Sequence, residues 1–105
     1  MRATITAGET TMQVHAVRLP DTRLVAAVPP QLEDLLAGRE SLGVSVALLE
    51  RGGRREELDA TATIVRSGRT WTEARGRLRE ERGWARRFAR SPVEVVVLTP
   101  VVTGR

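Results

Sequence analysis

The sequence predicts an α+β domain, a small six-stranded, mainly antiparallel split β-barrel with one short and one long helix. Three observations carry this reading. Apolar and polar residues alternate with strand period along much of the chain, most cleanly over residues 55 to 66. Five of the six predicted strands are joined by turns or by one short helix, which favours antiparallel pairing. Most of these strands are half polar, and closing such a small sheet into a barrel removes the edges that an open one exposes.

The elements follow in order. Arg2 to Thr6 reads as a strand ended by Ala7-Gly8-Glu9. Met12 to Leu19 alternates, with Met12, Val14 and Ala16 on one face and Gln13, His15 and Val17 on the other. Pro20-Asp21-Thr22 is turn chemistry, and Arg23 to Val28 returns as the second arm of a hairpin. Pro29-Pro30 stops that strand and opens a short helix whose Leu32, Leu35 and Leu36 have helical spacing, with Gly38 as its stop. Val44, Val46 and Leu48 share one face of a strand over Leu42 to Glu50, and Gly52-Gly53 turns it into the next. There Leu58, Ala60, Ala62 and Ile64 alternate with Asp59, Thr61 and Thr63. Thr70-Trp71-Thr72-Glu73 has the form of a capping box and opens a long helix running to about Arg90, with Trp71, Ala74, Leu78, Ala85, Phe88 and Ala89 on one face. Ser91-Pro92 ends it, and Val93 to Leu98 is a last, wholly apolar strand that Pro100 breaks.

Composition bounds the function. The 105 residues make one domain, 1–105. With no cysteine, disulfides, thiolate metal sites and thiol nucleophiles are excluded. No apolar run approaches the ~20 residues of a membrane span. Met1 to Thr11 lacks the apolar core of a signal peptide, so a soluble cytoplasmic protein is expected. All 17 basic residues are arginine, the residue choice of a GC-rich coding sequence. The calculated pI of 11.3 reflects the lack of lysine, tyrosine and cysteine to titrate above neutrality, while the net charge of +4 is an ordinary solubility charge.

This layout resembles the pyridoxamine 5′-phosphate oxidase-like family, the FMN-binding split barrels. The carriers are Arg2-Ala3-Thr4-Ile5-Thr6-Ala7-Gly8, the hairpin of Val14 to Leu19 and Leu24 to Val28 running into a helix over Pro30 to Ala37, and the strand Val44 to Leu49. Asp59-Ala60-Thr61-Ala62-Thr63-Ile64-Val65, a helix with Trp84, and Val95-Val96-Val97-Leu98-Thr99-Pro100 complete it. The resemblance implies FMN or a deazaflavin as cofactor, redox chemistry carried by the flavin, and a homodimer with the site between subunits. It implies cofactor contacts at Val14, His15, Ala16, Arg18, Val28 and Gln31, with Arg18 where the family often places a basic phosphate contact. Two departures stand out. The family's N-terminal helix has no counterpart here. The loop that usually carries a hydroxyl and a base for the phosphate reads Pro29-Pro30-Gln31-Leu32-Glu33-Asp34, with two acids and no base. Those acids repel a dianion, so FMN binding is expected to be weak or absent.

Other candidates are fewer. His15, the one histidine, is of the residue type suited to acid–base work near neutral pH, but it cannot by itself build a common metal site and reads first as an ordinary strand residue. Glu56, Glu57 and Asp59 near Arg54-Arg55 suggest a carboxylate pair or, more simply, a solvated hairpin tip. Arg75, Arg79, Arg82, Arg86 and Arg90 fall within about 80° of one helical face. They supply the rival function, a non-enzymatic module that binds nucleic acid or an acidic partner, or else form a solvated stripe. Trp84 lies just off the helix's apolar face and either anchors a second copy or covers its own barrel. With the last strand apolar on both faces, Trp84 motivates the expected homodimer.

Overall fold

The computed structural model describes residues 1–50, 52–66, 68–82 and 94–101, with side chains on the second helix described as far as Leu78. The elements are β1 (Arg2–Ala7), β2 (Thr10–Arg18), β3 (Leu24–Ala27), α1 (Pro30–Leu36), β4 (Leu42–Leu49), β5 (Arg55–Val65), α2 (Arg69–Arg82) and β6 (Val95–Pro100). The strands close into a barrel in the order β1-β2-β3-β6-β5-β4, every pairing antiparallel. The predicted class and element order are those observed.

Alternation explains why these segments are strands. Ala3, Ile5 and Ala7 on β1, Met12 and Ala16 on β2, Val44, Val46 and Leu48 on β4, and Ala60 and Ala62 on β5 are all buried in one core. A six-stranded barrel is narrow, so its interior mixes sizes. Ala16 stands across from Ala26, while Leu24, Leu98 and Ala62 lie side by side on three successive strands. The alanines leave the room that Ile5, Leu24, Leu48 and Leu98 fill, and each of these large side chains is fully buried. The β4–β5 hairpin turns through Gly52 and Gly53 at φ of 89° and 81°, a left-handed pair that non-glycine residues enter at a cost.

The helices have different tasks. β3 and β4 are not neighbours in the barrel, so the chain between them must cross one end, and α1 makes that crossing. Pro30 starts the helix where its missing N–H is harmless, and Leu32 and Leu36 drop into the barrel core beside Val28, Leu42 and Ile64. α2 lies outside. Ala74 and Leu78 are buried against the outward-facing Val17, Val25 and Val95, with Trp71 packed at the margin. β6 is thus covered on both faces by its own chain, with Val96 and Leu98 in the barrel and Val95 under α2. That removes one of the two reasons for expecting a second copy; the other, Trp84, lies outside the described residues.

Two local expectations are corrected. α2 opens at Arg69, so Thr70 is inside the first turn and not at the cap. The Thr72 hydroxyl donates to the Gly68 carbonyl at 3.0 Å instead, and the Glu73 carboxylate stands 3.8 Å from the Arg23 guanidinium on the β2–β3 turn. Pro100 does not break β6 but closes it, paired with Ala60. Proline is tolerated at such a strand end, where one N–H fewer costs little.

Candidate functional site

Five of the six residues implied as cofactor contacts divide into three groups. Ala16 is fully buried in the barrel, and Val14 and Val28 pack against the same core. Their side chains hold the barrel together. His15 is half-buried on the outer face of β2, across the strand pair from Arg2, and the two line a shallow groove of about 320 Å³ with Gln13 and Val14. Gln31 is exposed on the first turn of α1.

Arg18 belongs to neither place. Its Nη2 lies 3.2 Å from Glu56 Oε2, joining β2 to β5, the strand directly opposite in the barrel order. The side chains are 35% and 49% exposed, so the pair contributes at most about 1 kcal/mol. Its consequence is electrostatic: the base marked for a phosphate already has a carboxylate partner.

A roomier concavity draws on none of the six. It is an open cleft of about 1000 Å³ between α1, the loop that follows it and the end of β5. The α1 side carries Glu33, Asp34, Arg39 and Glu40; the β5 side runs from Thr63 to Arg66, and Leu36, Ile64 and Val65 form an apolar floor. Arg66 is held by Glu94 at 3.2 Å. Three carboxylates against two arginines, one of them already paired, leave the cleft negative. Glu33 and Asp34 line this cleft and make it hostile to a phosphate. Arg39, Glu40 and Arg66 were missed as site residues. No local pattern marks them, because the cleft arises where β5 outruns its pairing with β4.

A smaller trough lies on the outer face of β1, β4 and β5, where Ser45 donates a 3.4 Å hydrogen bond to Asp59 between Thr4, Thr6 and Glu57. Glu57 meets Arg55 at 3.3 Å, as befits a solvated hairpin tip. Of the arginine stripe, Arg75 lies over the Trp71 ring at 4.9 Å, an attraction worth roughly 0.5–1 kcal/mol at an exposed site. Arg79 and Arg82 are backbone positions of α2, and Arg86 and Arg90 lie outside the described residues. Among the described residues no polar or charged side chain is buried, no cluster of His, Asp and Glu suits a metal ion, and no helix is long and apolar enough to cross a membrane.

Fold and surface together define a closed six-stranded antiparallel barrel with one helix across an end and one along its side. No family model, curated protein or solved structure matches the chain.

Proposed function

We propose that the chain is a ligand-binding split-barrel domain of the flavin-binding kind. One observation carries the reading: six strands close in antiparallel pairs, with α1 set between β3 and β4 across one barrel end, at the place the resemblance puts its ligand loop. Val28 leads into that helix and Gln31 is exposed on it, so the Gln31 side chain and the Val28 carbonyl are the groups there that would meet a ring, with His15 on the outer face of β2 as the further candidate. The core-facing side chains of Val14 and Ala16 serve the barrel instead. Any redox chemistry is the flavin's, with the protein positioning it. The reading takes the homodimer with it, because a site of this kind lies between two copies. FMN is held weakly, since Glu33 and Asp34 flank the ligand loop and Arg18 is engaged by Glu56.

The test is an absorption spectrum and intact mass of the protein purified in its native state. Absorbance near ~450 nm with a flavin mass supports the reading. A colourless protein that also fails to take up added FMN, riboflavin or deazaflavin rejects it.

A second reading rests on the docking of α2. With Ala74 and Leu78 packed onto the outer wall of the barrel, the helix is fixed in rotation and Arg75 is held beside Trp71. A module that uses the positions Arg75, Arg79, Arg82, Arg86 and Arg90 on nucleic acid gives retention that falls steeply with salt.

A further inference from the structure

We propose that the cleft between α1 and β5 is a docking site for an extended basic segment of a partner protein, which adds to the barrel as a short strand along the free edge of β5. This is independent of the flavin reading.

The edge follows from the register. Val101 N donates to Asp59 O at 2.9 Å, so residues 59, 61, 63 and 65 present their N–H and C=O groups toward β6. The even-numbered residues of β5 present theirs toward β4, as the Glu50 N to Arg54 O bond at 2.8 Å confirms at the hairpin end. The β4 pairing stops at Leu42 opposite Ala62, yet β5 continues to Val65. Ile64 therefore aims both backbone groups into the cleft, with no strand against it among the described residues. The intervening loop does not cover it, because its amides turn back on α1: Ala37 N bonds Asp34 O at 3.3 Å and Arg39 N bonds Leu36 O at 3.0 Å.

An unpaired strand edge bordering a cavity of about 1000 Å³ is the geometry of strand addition. Main-chain bonds to Ile64 supply the register, and alternate side chains of the guest meet the apolar floor of Leu36 and Val65 or the opposite wall. That wall selects charge. Glu33, Asp34 and Glu40 face the guest, Arg66 is drawn off by Glu94, and Arg39 alone opposes a cation. A guest with arginine or lysine at alternate positions is complementary, and an acidic one is repelled.

The test uses fluorescence anisotropy of the full chain with two labelled peptides, one alternating arginine and valine, the other glutamate and valine. The basic peptide should bind about tenfold or more tightly, the preference should shrink with salt, and amide shifts in the protein should centre on residues 62 to 66. A basic peptide N-methylated on alternate amides should lose about tenfold in affinity, because a methylated edge cannot donate. This leaves the protein unaltered, so folding is not at issue. The combined change Glu33→Gln, Asp34→Asn and Glu40→Gln should abolish the charge preference and keep the sensitivity to N-methylation. Equal binding of both peptides, indifference to N-methylation in either set of amides, or no binding of the basic peptide at about millimolar concentration overturns the proposal.

Discussion

At Thr22 the backbone takes a φ of 76°, a region that a β-branched side chain enters only at a cost of roughly 1–2 kcal/mol. The turn from β2 to β3 imposes it. Leu19 N bonds Arg23 O at 2.7 Å, Thr22 N bonds Leu19 O at 3.0 Å, and Asp21 holds the Arg23 amide and guanidinium. Thr22→Gly should therefore stabilise the protein by about 0.5–1 kcal/mol in urea unfolding, the relief of strain exceeding glycine's greater freedom in the unfolded chain. A loss of stability would mean that the Thr22 side chain makes up for its backbone. At the other residue of consequence, Arg18, Glu56→Gln removes the competing carboxylate. Under the flavin reading, FMN affinity should rise several-fold in a fluorescence titration, while stability changes by less than about 1 kcal/mol. Unchanged FMN affinity would detach Arg18 from any phosphate.

Single elements show what the sequence could and could not say. Strands were legible because one face is buried and the other is not: the alternation of β5 is a direct image of the barrel wall. The start of α2 was misread because Thr70 and Glu73 have the spacing of a capping box, and nothing in local sequence says that Thr72 will bond Gly68 instead. Thr70→Ala should thus shift stability by no more than about 0.5 kcal/mol, where loss of a true cap costs about 1. The role of α1 was also hidden. Leucine spacing predicts an amphipathic helix, but only the strand order shows that this helix crosses a barrel end. Leu32→Ala or Leu36→Ala should cost about 2–5 kcal/mol, because each opens a cavity in the main core, and exposed Gln31→Ala should cost less than about 0.5. Equal, small losses at all three sites, read by thermal unfolding, would remove α1 from the core. The cleft was illegible for the same reason. It exists because β5 outruns β4, a difference of register between two strands that no single strand's pattern contains.

For the whole molecule, the insertion of β6 between β3 and β5 decides most. The last strand in sequence closes the barrel, so the fold depends on contacts between distant parts of the chain. Its two apolar faces, read alone, ask for a partner subunit. The fold answers that demand internally, one face to the barrel and the other to α2. Among the described residues the large exposed apolar side chains are Leu49, on β4, and Val101, just past β6, each across from charged neighbours. An obligate dimer buries a larger and more apolar surface than this. The proposed homodimer is then a union of already folded barrels, and dimerisation and folding should separate. Sedimentation at tens of micromolar should show a species of twice the 11.6 kDa chain that dissociates on dilution. The urea midpoint should rise modestly with concentration where the dimer forms, by mass action on the native state, and should hold steady at the lower concentrations where the folded monomer prevails. Loss of structure on dilution into the monomer range would show that the chain needs its partner to fold, and that the cover supplied by α2 is insufficient. A monomer at every concentration would remove the subunit interface, and with it the flavin site that the interface would build.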